Sequence, residues 1–176
     1  PPVLFGGLWF TRVFNVAENR PQSRAQWAMD ARWSHYFAGP DAALQLDYRF
    51  AQDDWSILSH TFETLWSQAI GPDWLVTPRM RYYTQTAASF YTPYLVTPQG
   101  QYSEARDPGT GRDRLVPFDR SLLPAYYSSD YRLSAFGTLG AGFTLNKTFA
   151  KGVSASLGYA YFEHSGNLKW GGGGEG

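Results

Sequence analysis

Acidic and histidine side chains are the groups in this sequence with the clearest capacity for chemistry. Asp53 and Asp54 are adjacent, His60 follows shortly after them, and His164 lies near the end of the chain. Carboxylate and imidazole groups of this kind perform general acid–base catalysis in hydrolases. No nucleophile elbow, paired-histidine metal spacing or phosphate-binding loop accompanies them. We therefore favour an acid-rich turn with two unrelated histidines, and we predict no catalytic residue, no metal site, no cofactor and no enzymatic activity.

The composition limits the classes of partner. The 176 residues include 15 basic and 15 acidic side chains, so no basic surface for nucleic acid is expected. The absence of cysteine excludes a disulfide framework, thiol catalysis and the usual zinc motifs, and it is compatible with an exported bacterial protein. No stretch approaches the roughly 18 apolar residues of a transmembrane helix. Aromatic residues make up 18% of the chain, and such rings are favoured at membrane interfaces and binding surfaces.

The elements that position these residues are predicted to be β-strands, because apolar and polar residues alternate with a period of two. In "AQWAMDARWSHYF", which begins at Ala25, Trp27 and Trp33 lie on one face while Asp30 and Arg32 lie on the other. A Gly-Pro turn in "AGPD" joins this strand to "ALQLDYRF", which alternates in the same way. The two strands are therefore predicted to form a hairpin.

Further strands follow. "WSILSHTFETLWSQAI" alternates only weakly, so its facing stays open, whereas "WLVTPRMRYYTQT" after a second "GPD" turn opposes apolar residues to charged ones. The stretch from Asp130 to Leu145 alternates almost throughout, with Phe136 out of place, and the pattern restarts at Val153 after the connector "NKTFAKG". These runs predict an all-β, antiparallel meander with essentially no helix between Ala25 and Phe162.

The apolar face of these strands has two physical interpretations. In a soluble sandwich or barrel it is a core, filled by bulky side chains at crystal-like density. In a transmembrane barrel it meets lipid, and the polar face lines the interior. The soluble interpretation is the default for any alternating strand, so the choice depends on further features of the sequence.

Several features favour the transmembrane barrel. The longest runs reach or exceed the about 9–11 residues that cross a bilayer at a tilt, whereas soluble strands have a mode of about 5–6. Charges stand in mid-strand, where a watery lumen accommodates them. Small residues such as Ala135, Gly137 and Ala141 suit acyl chains, because they would leave voids in a packed core. Short turns at one end and the aperiodic segment 87–129 at the other match the two sides of such barrels.

The "AGPD" turn also predicts a register. If it closes symmetrically about Gly39 and Pro40, Asp30 lies opposite Arg49 and Arg32 opposite Asp47, while Trp33 meets Leu46 and His35 meets Leu44 on the other face. Each acid then faces a base. Around the second turn, Glu63 reaches Arg79 or Arg81, which leaves one arginine in surplus. Opposite-charge pairs of this kind contribute about 0.2–1 kcal/mol each, so their main effect is to fix the register.

Three runs, "ENRPQSR", "LDYRFAQDDWSILSHTFE" and "PRMRYYTQTAASFY", resemble an uncharacterised family of predicted bacterial outer-membrane β-barrel proteins. The resemblance extends from Glu18 to Trp170. It implies a barrel fold and an outer-membrane location but no activity. It also implies a further closing strand after the Gly-rich segment, so that this chain would be a fragment of a longer barrel.

These observations predict that residues 1–176 form a single β-barrel domain in the bacterial outer membrane. The lipid bilayer is the predicted partner, and the predicted extracellular loop 87–129 is the candidate site for a protein partner. The side chains predicted to line the lumen are Asp30, Arg32, Asp47, Arg49, Glu63, Arg79, Arg81, Tyr83, Gln85 and Arg132. The side chains predicted to face lipid are Trp27, Trp33, Leu133, Leu139, Phe143, Leu157 and Tyr159.

Three functions remain open at this point. A pore or channel with a charged lumen is the first. A structural or docking barrel with a filled lumen, which presents loop 87–129 to a partner, is the alternative. An enzyme at the barrel rim or a soluble β-sandwich binding domain is the third.

Overall fold

A computed structural model of the chain describes residues 3–5, 8–10, 15–97, 102–106, 108–150 and 152–174, with strands 3–5, 8–10, 102–106 and 113–117 described by their backbone alone. The strands are β1 Val3–Phe5, β2 Leu8–Phe10, β3 Gln26–Phe37, β4 Ala42–Asp53, β5 Leu58–Ile70, β6 Trp74–Gln85, β7 Tyr102–Arg106, β8 Asp113–Pro117, β9 Phe136–Ala150 and β10 Val153–Ser165. Short 3-10 helices are η1 Arg120–Leu122, η2 Tyr131–Leu133 and η3 Gly166–Leu168. None of the helices in these ranges is long and apolar enough to cross a membrane.

Six strands form one antiparallel sheet in the order β3-β4-β5-β6-β9-β10. Each strand pairs with the next strand of the sheet, so the predicted all-β meander is confirmed. The strands are 12 to 15 residues long. The sheet is not closed, because β3 and β10 each pair on one side only within the described residues.

The register assigns each side chain of the sheet to one of two faces. We call the face that carries Asp30, Arg49, Glu63 and Arg81 the charged face, and we call the opposite face the apolar face. Asp30 pairs with Arg49, as the symmetric turn predicts, and the pairs Arg32–Asp47, Trp33–Leu46 and His35–Leu44 follow in the same register. The facing of β5, open from sequence, follows from Glu63, which lies opposite both Asp47 and Arg81.

The two tight turns at one end of the sheet depend on positive φ angles. Asp41 has φ 52°, and its carboxylate accepts a hydrogen bond from the hydroxyl of Tyr36 at 2.6 Å. Gly71, in the three-residue turn between β5 and β6, has φ 64°, a conformation that glycine adopts without steric cost. We call this end of the strands the turn end and the opposite end the loop end.

β9 begins at Phe136 and not at Asp130, and this corrects two predicted positions. The Asp130 carboxylate caps η2 by accepting a hydrogen bond from the N–H of Arg132 at 3.0 Å, so the chain turns before it enters the sheet. Leu133, predicted to face lipid, is 6% exposed and packs in a buried cluster with Ile57. Arg132, predicted to line the lumen, precedes the strand and forms an ion pair with Asp130 at 2.7 Å.

The other end of β9 also differs from the prediction. The strand continues to Ala150, so most of the predicted connector "NKTFAKG" is strand. A register shift between Val153 and Ser154 marks a bulge where β10 begins. Lys147 lies over the ring of Trp74, with its Nζ 4.4 Å from the centroid, and this cation–π contact stabilises the extension at the turn end.

Contacts divide the chain into two compact units, Pro1–Gln22 with Thr92–Ser129, and Ser23–Tyr91 with Asp130–Gly176. The second unit contains the six-stranded sheet. In the first unit β1 pairs with β2 and β7 pairs with β8, each antiparallel. The β7–β8 hairpin lies within segment 87–129, which has no period in the sequence and is predicted to be one long loop.

The first five residues of the run "ENRPQSR", residues 18–22, belong to the first unit and are anchored within it. Asn19 and Tyr127 exchange two backbone hydrogen bonds of 3.0 and 2.8 Å, and the Asn19 amide donates to the Ala125 carbonyl at 2.6 Å. The Tyr127 hydroxyl donates to the Ala17 carbonyl at 2.7 Å, and the Ser128 hydroxyl donates to the Glu18 carboxylate at 2.5 Å. In this run, Glu18 and Asn19 therefore have a structural role.

Residues 166–174, the C-terminal strap, cross the apolar face near the loop end. The Tyr82 hydroxyl donates to the Leu168 carbonyl at 2.6 Å, and the Trp170 N–H donates to the hydroxyl of Thr84 at 3.1 Å. The Trp170 ring lies 5.3 Å from the His60 ring and 5.9 Å from the Phe62 ring. Gly137 is required beneath the strap, because a Cβ there would collide with the Leu168 carbonyl.

Candidate functional site

Charged side chains line the middle of the charged face in cross-strand pairs. The Arg32 Nε donates to Asp47 Oδ1 at 2.5 Å, and the Arg49 Nη1 donates to Asp30 Oδ1 at 3.1 Å. The Gln45 amide also donates to Asp47, at 2.7 Å. The arginine side chains are 68% and 53% exposed. Ion pairs this exposed stabilise by about 0.2–1 kcal/mol, so they set the register and the local field more than the stability.

Glu63 has two arginines within reach, and it pairs with only one. Its Oε1 lies 3.9 Å from the Arg79 Nε, on the diagonal, whereas Arg81 is its direct neighbour across the strands. Arg81 makes no ion pair or side-chain hydrogen bond within the described residues. In the middle of this face the described strands place four arginines and three carboxylates, so one arginine is left in surplus, as the sequence predicts.

A groove runs along the charged face across β6, β9 and β10. Its volume is about 490 Å³, and its lining includes Arg79, Arg81, Tyr83, Phe136 and Phe162. The two phenylalanines are not among the site residues predicted from the sequence. The signal for Phe136 was present, since it breaks the apolar–polar alternation of its strand and so places a ring on the charged face.

At the loop end, a buried carboxylate holds the link between β4 and β5. Asp53 is 6% exposed, and its Oδ1 accepts hydrogen bonds from the N–H groups of Trp55 at 3.0 Å and Ile57 at 2.8 Å. Its Oδ2 accepts from the Arg24 Nε at 2.7 Å. The Arg24 guanidinium also lies 4.9 Å from the centroid of the Trp55 ring. The conformation of the "DDW" segment thus depends on Asp53.

Gln85 holds the chain where it leaves β6. Its amide nitrogen donates to the carbonyls of Arg132 at 2.9 Å and Ser134 at 2.8 Å, and its amide oxygen accepts from the Tyr83 hydroxyl at 2.6 Å. The hydroxyl of Thr86 accepts from the Leu58 N–H at 2.9 Å. The residues of "RYYTQT" that carry the family resemblance therefore fix how the chain enters and leaves the sheet.

The acid–histidine group suggested by the sequence is not assembled. His60 lies on the apolar face, where its Nδ1 is 2.8 Å from the Tyr48 hydroxyl. His164 pairs with Thr138 and lies on the charged face, with its ring 4.1 Å from the Phe136 ring. In the described part of the chain no group of three or more acidic or histidine residues is placed to hold a metal ion.

Six of the seven side chains predicted to face lipid lie on the apolar face. Trp27, Trp33, Phe143, Leu157 and Tyr159 are between 43% and 66% exposed, and Leu139 is half-buried. Among the described residues of the second unit, the C-terminal strap packs against one end of this face and no second sheet covers the rest. Nine of the ten side chains predicted to line the lumen, all except Arg132, lie on the charged face.

A comparison with protein-family models identifies the family of the chain. The model of a family described as "Protein of unknown function (DUF3570)" matches residues 8–176, so the chain belongs to that family. The resemblance to an uncharacterised family is thereby confirmed. Searches of curated proteins and of solved structures gave no match.

Proposed function

We propose that this chain forms part of the wall of a β-barrel in the bacterial outer membrane and that the barrel acts as a pore with a charged lumen. One observation carries the proposal: a single continuous sheet exposes aromatic and aliphatic side chains on one face and charged side chains on the other. In the proposed barrel the apolar face contacts lipid and the charged face lines the interior.

The dimensions of the sheet support a membrane span. Strands of 12 to 15 residues exceed the about 9–11 that a tilted transmembrane strand needs. Aromatic rings gather toward both ends of the apolar face, with Trp27 and Phe50 5.2 Å apart near the loop end and Phe37 and Trp66 5.6 Å apart near the turn end. Paired aromatic girdles of this kind mark the two interfaces of outer-membrane barrels.

The open edges of the sheet fit the same proposal. A sheet in hydrocarbon must close on itself, because each unpaired backbone N–H or C=O there costs several kcal/mol. In the described residues β3 and β10 each have one unpaired edge. The proposed barrel therefore requires further strands between these two edges.

A docking barrel is the second candidate. The ion pairs Arg32–Asp47 and Arg49–Asp30 are also what a filled lumen would contain. The first unit, with its β7–β8 hairpin, supplies a compact segment that a partner protein would recognise.

The test uses the intact protein, purified in detergent and inserted into planar lipid bilayers. A pore gives discrete conductance steps, and a barrel migrates differently in electrophoresis before and after boiling. A protein that is folded and monomeric in buffer without detergent would contradict the barrel. A detergent-dependent barrel that gives no conductance and copurifies tightly with another protein would favour the docking function.

A further inference from the structure

We infer that the groove on the charged face binds a small organic anion that carries a ring, with an aromatic carboxylate as the simplest example. We call it the Arg81 groove, and it is lined by Arg79, Arg81, Tyr83, Phe136, Gly140 and Phe162. This inference rests on the proposed function, because it assigns a class of solute to the same wall.

The uncommitted arginine supplies the recognition of an anion. Arg81 is exposed and has no ion pair or side-chain hydrogen bond within the described residues, although Glu63 is its neighbour across the strands. Arg79 is held only loosely by Glu63, at 3.9 Å. A planar guanidinium binds a carboxylate through two parallel hydrogen bonds, so the groove presents the complementary fork to such a ligand.

Two glycines make room beside the arginines. Arg81 lies directly opposite Gly140, and Arg79 lies opposite Gly142, on the neighbouring strand β9. A side chain at either position would project from the charged face. A Cβ at Gly140 would make only ordinary contacts, at 3.7 Å or more, so its absence is not imposed by packing. At Gly142, by contrast, a Cβ would collide with the Tyr159 carbonyl, so packing requires glycine at that position.

Aromatic rings border the same space. The Tyr83 and Phe136 rings lie 5.9 Å apart, and Phe162, opposite Gly140, is 73% exposed without a ring partner in the described residues. Rings on a charged face are poorly placed for lipid contact and well placed to stack on a planar ligand. An inorganic anion would use the arginine but not these rings.

The size of the groove agrees with a small ligand. Its volume of about 490 Å³ lies within the roughly 300–1,000 Å³ of small-molecule sites. It is a groove in an exposed face and not an enclosed cavity. Such a site suits transient binding, as a solute passing along a wall requires.

The test is titration calorimetry of benzoate into the intact protein in a non-ionic detergent at neutral pH. Arg81→Gln is expected to weaken benzoate binding by about tenfold or more, because a hydrogen-bonded charge is removed. Gly140→Val should also weaken it by filling the groove. Phe162→Ala should weaken binding of benzoate but not of inorganic phosphate. Lys147→Gln is the matched control, since it removes one positive charge from the apolar face and should leave binding unchanged.

Several outcomes would overturn the inference. Equal benzoate affinity in Arg81→Gln and in the parent protein is one, and equally tight binding of benzylammonium is another. Phosphate binding as tight as that of benzoate would rule out a role for the rings. Because Arg81→Gln could fail to fold, Arg81→Lys and Gly140→Ala provide milder variants. Benzoate binding without conductance would contradict the pore alone, and conductance without benzoate binding would contradict the groove alone.

Discussion

At the scale of single residues, Asp53 shows how an acidic side chain in a short link stabilises a fold. Its two oxygens accept hydrogen bonds from Trp55, Ile57 and Arg24, and it is almost fully buried. Asp54 beside it is exposed. The two residues have the same chemistry and differ in position, because Asp53 ends β4 whereas Asp54 lies in the link that follows.

We expect Asp53→Ala to lower the free energy of unfolding by about 1–3 kcal/mol, because it leaves buried N–H groups without an acceptor. Asp54→Ala, the matched control, should change it by less than about 0.5 kcal/mol. The measurement is urea unfolding of the intact protein in detergent. Equal effects of the two substitutions would contradict the structural role of Asp53.

Residue roles were predictable from sequence only where a strand fixed them. The positions of Asp30, Arg49 and Arg81 follow from parity and register alone. Leu133 and Arg132 were misplaced because Tyr131, Leu133 and Ala135 continue the parity of β9, although the chain there is a capped 3-10 turn. The capping aspartate Asp130 was the available signal.

At the scale of elements, the β3–β4 hairpin gives the most direct test of the register. Ser34 lies opposite Gln45 on the charged face, while Leu44 lies on the apolar face. Directly opposed residues of antiparallel strands have Cα atoms about 4.5–5.5 Å apart, within the range for a disulfide. The chain contains no cysteine, so no native thiol competes with an introduced pair for disulfide formation.

We therefore expect Ser34→Cys with Gln45→Cys to form a disulfide on mild oxidation. Ser34→Cys with Leu44→Cys should not, because the two side chains point to opposite faces. Electrophoretic mobility with and without reductant measures the difference. Efficient cross-linking of the second pair would mean a register slip of one residue.

Adjacent residues of β9 test which face meets lipid. Leu139 lies on the apolar face, and Thr138 lies on the charged face. Leu139 is the fourth residue of β9 from the loop end, so Leu139→Arg is expected to cost less than the about 2–4 kcal/mol of an arginine at the bilayer midplane, whereas Thr138→Arg should be tolerated. The yield of folded, heat-modifiable barrel measures both. Normal yield of Leu139→Arg would count against lipid contact.

Elements with long alternating runs or tight turns were predictable, whereas short strands and a segment held by long-range contacts were not. The order and pairing of β3, β4, β5 and β6 follow from period and turn chemistry. The β7–β8 hairpin has short strands around a Pro-Gly turn at 108–109, so its period is too brief to separate from loop. The C-terminal strap depends on Trp170 reaching His60 and Phe62, a contact that no local pattern reveals.

At the scale of the whole molecule, the proposed topology places segment 92–129 outside the cell. Trypsin added to intact cells should then cleave within it, at exposed sites such as Arg112. Fragment mass on gels and mass spectrometry locate the cut. Cleavage that occurs only after the outer membrane is opened would reverse the topology.

The strict difference between the two faces of the sheet has a consequence for insertions and deletions. Adding one residue within β3 would carry Asp30 or Trp33 to the wrong face, whereas adding two would restore the parity of all that follows. Length changes inside the six strands should therefore survive in steps of two. The connection between β7 and β8 carries no such constraint, so related proteins should vary there by any number of residues.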